Sequence, residues 1–221
     1  ALYELQKKEL EPTETPKNEH LPESVVDLAT FQEDAVNRVY SSLTNYIGVL
    51  VADSVGLGKT WIDKKVIEDF GFYRRRKFLV ICPAQLHRMW QAELKDVGVS
   101  ENIIHQEYLG GEGLDFNDLE KRHQIKLSDI SLIVIDESHN FRNPISNRYE
   151  NLFSLIEKIR SFGKSPKVIL MTATPMNNTI YDLYHQLMLI GQNNERIFIK
   201  QGIFNLKKEF DKAFRKNTSN I

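Results

Sequence analysis

A chain of 221 residues fits one large domain, or one domain with appendages. Hydrophobic residues at 41% and charged residues at 27% are ordinary for a globular domain, and a net charge of −1 denies the chain a global basic footprint, so any contact with nucleic acid must come from local placement of lysine and arginine. The single cysteine, Cys82, excludes an internal disulfide and fits a reducing compartment; no apolar run approaches the roughly 20 residues of a membrane span, and no signal-peptide pattern opens the chain, so no membrane partner and a cytoplasmic location are expected.

Residues 1–29 are acidic and carry Pro12, Pro16 and Pro22, which predicts an N-terminal extension that is partly extended and begins to dock only near its end. From Thr30 a helix is expected, capped by Thr30 with Glu33 completing a capping box, and closed at Asn45. Residues 47–51 read as a first buried strand. A glycine-bearing loop follows, and a helix over 60–70 presents Ile62, Val66, Ile67 and Phe70 on one face before Gly71 ends it. Arg74, Arg75, Arg76 and Lys77 read as a solvated connector, with a phosphate-backbone contact as the alternative.

The second half continues the alternation. Strands are predicted over 78–82, 103–109 (weaker), 132–135 and 167–171. Helices are predicted over 86–94 with Trp90 inward, over 148–162 and over 180–190. Residues 110–113 form a glycine loop, and 114–126 are polar and partly helical. A basic amphipathic helix over 204–214 closes a tail, 192–221, that is expected to be an appendage or the start of a linker. Short apolar strands alternating with helices predict an α/β fold: a mostly parallel sheet with helices on both faces. In such sheets ligands gather outside the carboxyl ends of the strands, and every polar cluster of this chain follows a strand end.

The first cluster is Gly56-Leu57-Gly58-Lys59-Thr60. Glycines let backbone N–H groups turn inward around an anion, and a helix N-terminus adds unsatisfied donors. Lys59 can reach outer phosphates and the Thr60 hydroxyl can ligate magnesium. The full G-x-x-x-x-G-K-[ST] pattern is not met, because Asp53 stands at its first glycine; a structural glycine turn is the alternative. The second cluster is Asp136-Glu137-Ser138-His139. Asp136 can hold Mg2+ beside Thr60 and Glu137 can orient or deprotonate a water; the alternative is a pair of loop acids capping the next helix. His139 can share the site or cap locally. Thr172 and Thr174 end another strand, where their hydroxyls can bond His139 or Glu137, or simply satisfy turn backbone. The amide of Gln32 suits an adenine edge, with a solvated helix-start glutamine as the alternative.

Taken together, Phe31-Gln32, Gly56 to Thr60, Cys82-Pro83-Ala84-Gln85-Leu86 with Trp90 and Glu93, Asp136 to His139 with Asn143, and Thr172-Ala173-Thr174-Pro175 resemble superfamily 2 helicases of the Swi/Snf-like branch. The resemblance runs over about residues 30–190 and implies a RecA-like P-loop NTPase lobe that uses ATP and Mg2+. It implies that Gln32 contacts adenine, and that Gly56, Leu57, Gly58, Lys59 and Thr60 hold phosphates and metal. Asp136 would organise magnesium and Glu137 would be the general base, while His139, Thr172 and Thr174 would couple nucleotide state to nucleic acid. Pro83, Ala84, Gln85 and Gly110 would lie along one strand of it, with double-stranded DNA the expected partner. Two departures stand out: Ser54 replaces the usual Glu, and the motifs belong to only the first of two such lobes. The second, with its arginine fingers, is expected elsewhere in the full chain. An RNA helicase, a restriction-type motor lobe and a non-hydrolysing nucleotide-binding scaffold are the alternatives.

Overall fold

The computed structural model describes residues 24, 26–52, 59–99, 102–177 and 179–218, with backbone only at 59, 60 and 216–218. Five strands, β1 (Gly48–Ala52), β2 (Lys77–Cys82), β3 (Ile103–His105), β4 (Ile130–Ile135) and β5 (Lys167–Thr172), form one sheet in the order β1-β5-β4-β2-β3. Every pairing is parallel. The helices are α1 (Thr30–Asn45), α2 (Lys59–Ile67), α3 (His87–Asp96), α4 (Phe116–His123), α5 (Asn147–Ser161), α6 (Tyr181–Gly191) and α7 (Leu206–Thr218).

The strands are apolar on both sides because both faces are covered. On one face Leu79 and Ile81 of β2, with Ile133 and Ile135 of β4, pack under α4, α5 and α6. On the other, Phe78, Val80, Leu132 and Val134 pack under α1, α2 and α3. Each fully buried Leu, Ile or Val contributes about 1.5–3 kcal/mol by leaving water, so the two apolar layers fix the register of the sheet. That register carries the polar strand ends to a common edge.

Four local expectations need correction. Thr30 does not cap α1; Ala29 is the N-cap and the Gln32 side chain accepts the Ala29 N–H at 3.0 Å. Gly71 does not end the second helix, because the chain runs on through a π-helical turn, Glu68–Tyr73. Gly71 is required there for space: a Cβ would lie 2.9 Å from the Phe78 ring and 3.0 Å from Val99. The third strand stops at His105, and a 3-10 turn, Gln106–Gly110, follows because Gln106 turns into the core. The C-terminal helix starts at Leu206, not at 204, and packs on α6 through Tyr184, Met188, Leu206 and Phe210. The Arg74 to Lys77 connector is exposed, as its solvated reading expects. Of the N-terminal extension, Val26 is buried and the Ser24 hydroxyl donates to Glu68 at 2.6 Å, so its end docks on the domain; residues 1–23 lie outside the described residues.

Candidate nucleotide site at the sheet edge

The parallel sheet brings the ends of β1, β5 and β4 to the same edge. Ala52, the last residue of β1, pairs with Thr172 of β5, and Ile135 of β4 pairs with Leu170 of β5. β1 ends at Ala52, β5 ends at Thr172, and Asp136 follows the end of β4. Neighbouring strands are about 4.8 Å apart, so the ends of β1 and β4 face each other across about 10 Å with β5 between them. Residues 53–58, with Gly56, Leu57 and Gly58, lie outside the described residues, as do the side chains of Lys59 and Thr60. The backbone does place Lys59 as the first residue of α2, the position a phosphate-binding lysine needs at a helix N-terminus.

Asp136 is buried and held at both carboxylate oxygens. Its Oδ1 accepts the Glu137 N–H at 2.8 Å and its Oδ2 accepts the indole N–H of Trp90 at 3.0 Å. Its own N–H donates to Ile81 O, extending the β4–β2 pairing by one residue. Glu137 then takes a left-handed backbone at φ 49°, which costs a non-glycine residue about 1 kcal/mol. This turn ends the strand and swings Glu137 away from the buried side. His139 Nδ1 lies 3.0 Å from Glu137 Oε2 and 3.3 Å from Thr172 Oγ1, and that hydroxyl accepts the Thr174 N–H at 3.0 Å. Glu137, His139, Thr172 and Thr174 therefore form one chain of contacts between the ends of β4 and β5, and Thr172 serves its turn as well as the histidine.

The remaining predicted residues divide. Gln32 is half-buried beside the exposed Phe31, and its carbonyl oxygen is engaged by the Ala29 N–H, which leaves its NH2 group as the end turned to other work. Pro83, Ala84 and Gln85 open the segment between β2 and α3, where Ala84 and Gln85 are exposed. The Ala84 N–H already donates to the Glu107 carboxylate at 3.1 Å. Gly110 ends the 3-10 turn and is exposed; its carbonyl accepts from Asn147, and Asn151 donates to the flanking Leu109 and Gly111 carbonyls.

Residues 26–177 match the family model described as type III restriction enzyme, res subunit. The chain belongs to this family. Among curated proteins, this helicase-family lobe is 26% identical over 181 residues to "Uncharacterized ATP-dependent helicase YqhH" of Bacillus subtilis, covering 78% of this chain and 29% of the relative. It is 23% identical over 222 residues to "Protein CHROMATIN REMODELING 5" of Arabidopsis thaliana, covering 87% and 12%. Its fold matches the Sulfolobus solfataricus SWI2/SNF2 ATPase core solved with dsDNA, at a TM-score of 0.56 and 22% identity, over 85% of this chain and 42% of that one. The α/β RecA-like architecture is thereby shown, and the superfamily 2, Swi/Snf-like reading agrees with the relatives the chain matches. The lobe spans less than a third of the curated relatives it matches.

Several residues that hold this helicase lobe's site together carry no sequence signal of their own. Gln106, buried, donates to the Asp136 carbonyl at 2.5 Å and accepts from Asn140. Gln186 of α6, fully buried, accepts the Ser138 hydroxyl at 2.9 Å and donates to the Pro175 carbonyl at 2.8 Å, tying the acid turn to the turn after β5. Lys64 of α2 bonds Glu93 and Asp96 of α3, each at 2.7 Å. Burial pushes the Lys64 ammonium down, but the bonds to Asp96 and Glu93 outweigh it and hold the group charged. The one available signal is a polar residue inside an apolar run, as at Gln186.

The donor set fits a divalent cation. Asp63 of α2 is fully buried, and neither of its carboxylate oxygens has a hydrogen-bond partner among the described residues. Burial, and then the Asp136 charge, push its carboxyl well above the ordinary range. An orphaned buried carboxylate beside a second one is the electrostatic setting a hard cation with oxygen ligands relieves. Asp136 and the Thr60 hydroxyl would hold magnesium, which would supply neutralising charge to the phosphates when bound.

Proposed function

We propose that this lobe binds ATP with Mg2+ at the edge formed by the ends of β1, β5 and β4, and that within its full-length protein it couples hydrolysis to movement on double-stranded DNA. The observation that carries this reading is the convergence of the Lys59 helix start, Thr172 and Asp136-Glu137 on adjacent parallel strand ends. Phosphoryl transfer asks for charge neutralisation and an aligned nucleophile. Lys59 and the glycine loop supply the first. Glu137, displaced from the strand by its left-handed turn and touching His139, is positioned to take a proton from water. The contact chain through His139 to Thr172 and Thr174 supports a role for the β5 turn in relaying that state. The NH2 of Gln32, without a hydrogen bond among the described residues, supports donation to adenine.

The lobe is taken as residues 30–191, with 1–29 and 192–221 as appendages, and acts in the cytoplasm. Its second lobe is expected to supply arginines worth about 10³–10⁵ in rate. The isolated chain therefore binds nucleotide and turns it over slowly, with little response to duplex DNA; brisk DNA-stimulated steady-state turnover by this chain alone would contradict that. In the full-length protein, stimulation by duplex DNA over RNA supports the DNA reading, and the reverse order supports an RNA helicase. The family description favours a restriction-type motor as the second reading; it too predicts duplex stimulation.

A further inference from the structure

We propose that Trp90 is a positioning residue for the magnesium-organising carboxylate, and that through it the segment opening with Pro83-Ala84-Gln85 acts on the nucleotide site. The inference rests on the nucleotide reading above and adds a residue and a route to it. Trp90 is fully buried on α3, and its indole N–H donates to Asp136 Oδ2 at 3.0 Å across 46 residues of sequence. The other oxygen is held by the Glu137 N–H. Hydrogen bonds at both oxygens favour one orientation about the Cβ–Cγ bond, so the direction the carboxylate offers a metal is set before the metal arrives. Indole is a donor only, so it can orient the carboxylate without competing as a ligand. Outer groups that orient a ligating carboxylate typically change metal affinity about 10–100-fold when removed.

The route follows from what Trp90 is attached to. Residues 84–86 and α3 are continuous, and the exposed Ala84 and Gln85 stand one to two turns before Trp90. The same helix is clamped to α2 by Lys64 with Glu93 and Asp96. A shift of α3 when a strand engages its first turn therefore changes the Trp90–Asp136 bond directly.

The test uses the chain itself with ADP as probe. Trp90→Phe keeps most of the ring volume and removes the N–H. Wild type should bind ADP more tightly with Mg2+ than with EDTA, and Trp90→Phe should lose about tenfold or more of the Mg2+-dependent part while binding ADP in EDTA as wild type does. An equal Mg2+ dependence in both proteins overturns the proposal. Absence of any ADP binding by wild type refutes the nucleotide reading itself. Should Trp90→Phe fail to fold, the 15N-indole spectrum of wild type decides. The chain has two tryptophans, and Trp61→Phe assigns the remaining signal. The Trp90 indole proton should move upfield in Asp136→Asn and should respond to ADP with Mg2+ but not to ADP in EDTA. A signal indifferent to both contradicts the bond and the role built on it.

Discussion

Asp63 is a buried carboxyl with no hydrogen bond among the described residues. Its carboxyl is held well above the ordinary range by burial first and by Asp136 second. A group whose folded-state pKa is raised gives its full contribution to stability below the unfolded value of about 3.9, and that contribution is lost as pH rises towards the raised folded value. Asp63→Asn keeps the shape and removes the titration. It should stabilise the nucleotide-free chain at neutral pH by at least about 1 kcal/mol and flatten the loss of stability with rising pH. Urea unfolding at a series of pH values measures both; an unchanged or lower stability in the variant would contradict the orphaned-charge account. Glu107 is a residue of the opposite kind, exposed and placed where a phosphate is expected. Its carboxylate takes the Ala84 N–H, a donor suited to a nucleic-acid backbone. Glu107→Ala removes a charge and frees that donor, so duplex DNA should bind about two- to fivefold more tightly at low salt, with the gain shrinking as salt rises. Fluorescence anisotropy that shows weaker or equal binding would remove Ala84 from the contact.

At the scale of elements, β1 depends on its first residue. A Cβ at Gly48 would lie 2.2 Å from the Val168 carbonyl, so Gly48→Ala forces β1 away from β5. The expected cost is about 2–4 kcal/mol, read as a fall in the denaturant midpoint; a fall below about 0.5 kcal/mol would mean that β1 can shift without loss. The strands were the most legible part of the chain, because a strand buried on both faces is an uninterrupted apolar run. The positions of Asp136 and Thr172 are legible for the same reason, since each directly follows such a run, with Glu137 and Thr174 in the turns beyond. The Trp90–Asp136 and Ser138–Gln186 bonds were not, since their partners sit 46 and 48 residues apart and only the folded sheet joins them. The third strand stops short of its predicted range because Tyr108 and Leu109 resume an apolar run beyond His105 in sequence, while the buried bond of Gln106 to the Asp136 carbonyl turns the chain there. Gly71 was misread as a helix stop because a glycine needed for close packing and one needed for a turn look alike in sequence.

For the molecule as a whole, the two apolar layers make a rigid platform and the chemistry lies at one rim of it. Platform and rim belong to a helicase-family lobe, and the appended α7 rests on α6. If the full-length protein is a motor, Glu137→Gln should leave its ATP binding intact and abolish turnover; unchanged turnover would take Glu137 out of the base role. The measurement that bears most directly on the central claim is equilibrium binding of a fluorescent ATP analogue with Mg2+ to this chain, compared among wild type, Lys59→Ala and Asp136→Asn. Saturable binding by wild type that weakens at least about tenfold in Lys59→Ala, with the Mg2+ dependence lost in Asp136→Asn, is the predicted result. Equal binding by all three would show that the lysine loop and the acid turn do not share a nucleotide.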